Sequence, residues 1–89
     1  MIISELIQIL VNLSPEKEVF TGDCKDSIYL YEESYKVLII DCYSEKGSMT
    51  VAQMIEQLSK MDLDKDIMLC DNDSESIDVE EDEYDVFLY

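Results

Sequence analysis

The chain has 89 residues, a length that fits one small domain. Twenty-two acids face six bases, all of them lysines, for a formal net charge of −16. Nucleic-acid binders carry a basic footprint, so this balance argues against direct contact with DNA, RNA or an anionic membrane and favours a partner with a basic surface.

The first predicted element is a helix. Ile3, Leu6, Ile7, Leu10 and Leu13 recur at helical spacing. Ile9 and Val11 widen the apolar stripe, and Pro15 ends it. Three short strands are predicted next, over 18–23, 27–32 and 36–42, separated by polar turns. A linker, 43–48, leads to a second helix with Val51, Met54, Ile55, Leu58 and Met61 on one face. Thr50 and Gln53 have the spacing of a capping box, and Asp62-Leu63-Asp64 ends the helix. Strands over 66–70, 76–80 and 84–89 complete the chain.

Residues 1–42 and 49–89 read as two copies of one unit. Ile7 aligns with Ile55, Leu10 with Leu58 and Lys17 with Lys65. After one extra residue in the second copy, Ile28 aligns with Ile77, Glu32 with Glu81, Tyr35 with Tyr84 and Val37 with Val86. The expected fold is α+β: one domain of two tandem α-β-β-β units, each a helix on an antiparallel three-stranded meander. Alternation assigns Ile28, Leu30, Val37 and Ile39, with Ile77, Val79, Val86 and Leu88, to the face under the helices. The other face carries Tyr29, Tyr31, Leu38 and Ile40, then Asp78, Glu80, Phe87 and Tyr89. That face is too apolar for a wholly wet surface. Burial between the two copies, a homodimer interface and a partner surface are all consistent with it.

The charge is unevenly shared. Residues 1–48 hold nine acids and four lysines, and residues 49–89 hold thirteen acids and two lysines. Most of the excess is Asp71, Asp73, Glu75, Asp78, Glu80, Glu81, Asp82, Glu83 and Asp85. Because Ile77, Val79 and Tyr84 align with strand positions of the first copy, the run is expected to be a folded hairpin rather than a tail. Carboxylates on a rigid hairpin offer Lys and Arg of a DNA-binding groove their preferred partners. These acids, with Tyr29 and Tyr31, are the candidate partner-binding residues.

Other chemistry finds little footing. Asp71-x-Asp73-x-Glu75 resembles the start of a Ca²⁺ loop, but Ser76 stands where that loop needs Gly. Cys24, Cys42 and Cys70 lack a metal-binding spacing and suit a reducing compartment. With no His, no Gly-rich phosphate loop and no nucleophile elbow, an enzyme is not expected. No cofactor and no metal are expected either. Met1-Ile2-Ile3-Ser4-Glu5 does not read as a signal peptide, no apolar run is long enough for a membrane span, and the expected location is the cytoplasm.

The stretch Met49-Thr50-Val51-Ala52-Gln53-Met54-Ile55-Glu56-Gln57-Leu58, followed by Met61 and Asp62-x-Asp64-Lys65-Asp66-Ile67, resembles small acidic phage and prophage proteins. Those open with T-V-x-E-L-I-x-x-L and continue D-P-D-x-x-V; this chain departs at Gln53 and Leu63. The resemblance implies phage origin and a bacterial host cell. In size and charge the chain is also similar, as a class, to phage anti-CRISPR inhibitors and anti-restriction DNA mimics. The expected function is an inhibitor that occupies a basic nucleic-acid groove of a host CRISPR effector or restriction enzyme. The alternative is a structural or adaptor protein that dimerises through its aromatic sheet face.

Overall fold

The computed structural model describes residues 1–21, 26–42, 49–69 and 77–89, with backbone alone at 26, 27, 41 and 42. Two helices and six strands follow in the order α1 (Ile3–Leu10), β1 (Glu18–Thr21), β2 (Asp26–Glu32), β3 (Lys36–Cys42), α2 (Val51–Ser59), β4 (Asp66–Leu69), β5 (Val79–Glu81) and β6 (Asp85–Leu88). The fold is α+β, as the hydrophobic periodicity requires.

Helix α2 starts where its capping box places it. Thr50 Oγ1 accepts from Gln53 N at 3.2 Å, and Thr50 N donates to Gln53 Oε1 at 3.0 Å. Helix α1 has half of that device: Ile2 offers no side-chain acceptor, while its N–H donates to Glu5 Oε1 at 3.1 Å. Both helices are short for their own stability and depend on the faces they bury. Those faces are Ile3, Leu6 and Leu10 in α1, and Val51, Met54 and Leu58 in α2, all fully buried.

The six strands form one sheet, ordered β4-β3-β2-β1-β6-β5. Strands β1, β2 and β3 make an antiparallel meander, and β5 and β6 an antiparallel hairpin. Two parallel pairings join the halves, β3 with β4 and β1 with β6. This corrects the expectation of a self-contained second meander, because β4 joins β3 of the first half. The physical reason lies in the connection. A parallel neighbour needs a crossover, usually a helix, and α2 stands between β3 and β4. The same topology corrects the idea that the two copies bury their second faces against each other: both halves lie side by side in one sheet.

Contacts recur at aligned positions. Ile3 N donates to Lys65 O at 3.0 Å, and Val51 N to Lys17 O at 2.9 Å. Ser4 N donates to Leu63 O at 3.1 Å, and Ala52 N to Pro15 O at 3.0 Å. Ile67 N donates to Met1 O and Val19 N to Met49 O, at 2.9 and 2.8 Å. In register, Val19 faces Val86 while Val37 faces Ile67. Each helix thus enters beside a strand of the opposite half, and the two halves interlock.

One apolar core results. Beneath the helices lie Val19, Ile28, Val37, Ile39, Ile67, Ile77, Val86 and Leu88, with Leu30 and Val79 partly buried against them. All but Val19 and Ile67 are the alternate positions that the sequence assigned to the covered face. No polar or charged residue is buried among the described residues, so the core is held by apolar burial and backbone pairing.

Candidate protein-binding surface

Of the candidate residues, Tyr29, Tyr31, Asp78, Glu80 and Asp85 lie on the sheet face away from the helices, whereas Glu81, beside the buried Val86, lies on the helix side. In strand register Met68 stands beside Leu38, Leu38 beside Tyr31, and Ile40 beside Tyr29. Phe20 stands beside Phe87, their ring centroids 6.2 Å apart and the planes tilted by 33°, an ordinary aromatic pair. Phe87 is next to Glu80 on β5. Tyr29 and Tyr31 are 45% and 52% exposed, while Leu38, Ile40, Met68 and Phe87 are half-buried. Phe20, at 9% exposure, is buried, so the open part of the stripe is the side of Tyr29 and Tyr31.

Acids border the stripe on its β1, β6 and β5 side. Asp78 and Glu80 alternate along the β5 side and are exposed. Glu18 and Asp85 are direct partners in the β1–β6 ladder. The equivalent pair in the other ladder is Asp66 with Lys36, opposite charges. Asp85 thus stands beside Glu18 where the other ladder has Lys36 beside Asp66, which adds to the acidic character of this border.

The candidate acids divide by role. Glu81 Oε2 accepts from Ser14 N at 3.1 Å and lies 3.4 Å from Lys17 Nζ. The hydrogen bond from Ser14 N–H, and then Lys17, hold its carboxyl below the usual range against an opposing cost of shielding from water. Asp82 Oδ1 accepts from Tyr84 N and Asp85 N at 2.8 and 2.7 Å, which shapes the hairpin turn. Lys17 Nζ also donates to Asp82 O. Glu80 accepts from the Tyr89 hydroxyl at 2.8 Å and keeps its exposed place on the face. Glu83 is exposed at the turn. Asp71, Asp73 and Glu75 lie outside the described residues, as do Cys24 and Cys70. Half of the stretch 71–82, on which the Ca²⁺-loop reading rests, lies there too.

Sequence reasoning missed Glu18, which belongs to the acidic border, and the structural duties of Glu81 and Asp82. The signal for the latter was present in the alignment, since Lys17 and Lys65 match. Lys65 Nζ lies 3.3 Å from Glu32 Oε2 and donates to Glu33 O at 3.0 Å, as Lys17 does at Glu81 and Asp82.

No group of three or more His, Cys, Asp or Glu that could hold a metal ion occurs among the described residues. Among them also, no helix is long and apolar enough to cross a membrane. Comparison with known protein families, with characterised proteins and with solved structures finds no match.

Proposed function

We propose that this protein is a non-catalytic inhibitor that binds a basic protein surface through its open sheet face, the target being the nucleic-acid groove of a host defence nuclease such as a CRISPR effector or restriction enzyme. One observation carries the reading: Asp78, Glu80, Asp85 and Glu18 share a helix-free face with Phe20 and Phe87. Along one strand, same-face carboxylates stand roughly 7 Å apart, and neighbouring strands are about 5 Å apart. A groove built for phosphates presents Lys and Arg, which pair with carboxylates as they do with phosphate oxygens. The aromatic stripe adds apolar area and faces on which guanidinium groups stack.

The test is inhibition of DNA binding by a purified CRISPR effector complex and by a restriction endonuclease, followed with labelled duplex DNA. The triple variant Asp78→Asn, Glu80→Gln, Glu18→Gln removes three charges from the face. The control Glu16→Gln, Glu56→Gln, Asp64→Asn removes the same number elsewhere. The face variant is expected to weaken inhibition at least tenfold more than the control, with the gap narrowing as salt rises. Equal inhibition by both variants would remove the carboxylate face from the mechanism.

The aromatic stripe supports a second reading, self-association through Tyr29, Tyr31, Leu38 and Ile40. Sedimentation of the wild type and of a Tyr29→Ser, Tyr31→Ser variant separates the two: a dimer lost in the variant favours the adaptor role.

A further inference from the structure

The hairpin tips carry an inference of their own, independent of the sheet face. The β2–β3 turn holds Tyr35 and the β5–β6 turn holds Tyr84, at aligned positions. They are 89% and 74% exposed, so neither ring is spent on the core. Both turns close alike, Glu33 N donating to Lys36 O at 2.8 Å and Asp82 N to Asp85 O at 3.0 Å. Each is latched by a lysine of the opposite half, Lys65 on Glu32 and Glu33, Lys17 on Glu81 and Asp82.

Topology puts both tips at one end of the sheet. Strand β1 runs parallel to β6 and antiparallel to β2, so the start of β6 and the end of β2 lie at the end where β1 begins. In the strand order the two tips are three strand spacings apart, roughly 14 Å at about 4.8 Å per strand, and the ladders set the β2–β3 tip roughly 13 Å further along the strand direction, so the tips stand roughly 19 Å apart. From this we infer that the two tips form a bivalent edge that binds a protein segment with two arginine-bearing sites about that far apart. The charge of −16 selects a basic occupant. The composition of each tip selects arginine, because a guanidinium stacks on a tyrosine ring while bonding a carboxylate in its plane.

The probes are two peptides. One has a single Arg-Arg pair; the other has two such pairs joined by a twelve-residue Gly-Ser spacer, whose mean span is about 19 Å. Binding to the intact protein is read by calorimetry. The bivalent peptide is expected to bind at least tenfold more tightly than the monovalent one, through effective concentration. That gain is expected to vanish in Tyr84→Ala and equally in Tyr35→Ala, and to persist in Tyr84→Phe, which keeps the ring. A gain that survives in either alanine variant would show general attraction to an acidic protein and overturn the inference. So would equal binding of both peptides to the wild type. The acids of the sheet face are untouched in these variants and no nuclease is used, so failure here leaves the nuclease reading standing, and the reverse also holds.

Discussion

At the residue scale, Glu81 shows why a count of carboxylates overstates a binding surface. Ser14 N–H and Lys17 draw its carboxylate inward, and the depressed pKa makes that carboxylate a stability device. A carboxyl whose folded pKa lies below its unfolded one stabilises the fold above the unfolded value, and the contribution is lost as pH falls through the folded pKa. Glu81→Gln is therefore expected to lower the melting temperature near neutral pH and to converge with the wild type in acid. Thermal melts across pH 2–7 check this; a constant gap would assign the effect to geometry rather than ionisation. Asp82 is similar in kind, since its oxygen organises the turn.

At the scale of elements, the two helices separate local signals from tertiary ones. The Thr50–Gln53 box closes α2 as its sequence spacing requires. Thr50→Ala is expected to cost about 1 kcal/mol, measured by urea unfolding; a change near zero would mean that the backbone contacts of Val51 and Ala52 to Lys17 and Pro15 fix the start unaided. The helix starts, most strands and the choice of covered face were legible because each rests on a local period: 3.6 for Leu6–Leu10 and Met54–Leu58, 2 for Ile28–Leu30 and Val86–Leu88; the helices end earlier than the apolar stripes through Leu13 and Met61 implied, and the strand expected over 76–80 is Val79–Glu81. The partners of β4 and β6 were not legible from periodicity, which says which side of a strand is buried and nothing about its neighbour. Short connections pointed to hairpins, and they do form in β1–β3 and β5–β6. The crossover from β3 through α2 to β4 was obscured because its linker and helix were weighed as separate features. The site followed the same division. Tyr29 and Tyr31 were assigned to the open face by alternation, whereas Glu18 reaches the acidic border through the β1–β6 pairing.

At the scale of the whole molecule, the halves depend on each other. Strand β1 takes β6 as a neighbour, β3 takes β4, and each helix start bonds to the loop before the opposite half's first strand. A single apolar core spans both. Residues 1–42 and residues 49–89, made separately, are each expected to lack cooperative unfolding, and an equimolar mixture is expected to recover it. Far-UV circular dichroism with thermal melts decides; a cooperative melt from 1–42 alone would contradict the interlocked reading.

The interlocking also leaves the order of elements along the chain free to change. Strand β3 reaches its parallel neighbour β4 through the linker and α2, while β6 lies parallel to β1, which α1 precedes, in the matching arrangement. A peptide joining Tyr89 to Met1, as long as the segment between Ile40 and Met49, would make the second crossover covalent. The chain could then be opened between Ser48 and Met49. Such a circular permutant, beginning at Met49, is expected to fold to the same sheet order, because every strand keeps its neighbours and only the route between them differs. Failure to fold, with the joined but unopened ring folding normally, would show that the order of synthesis matters where the final contacts do not.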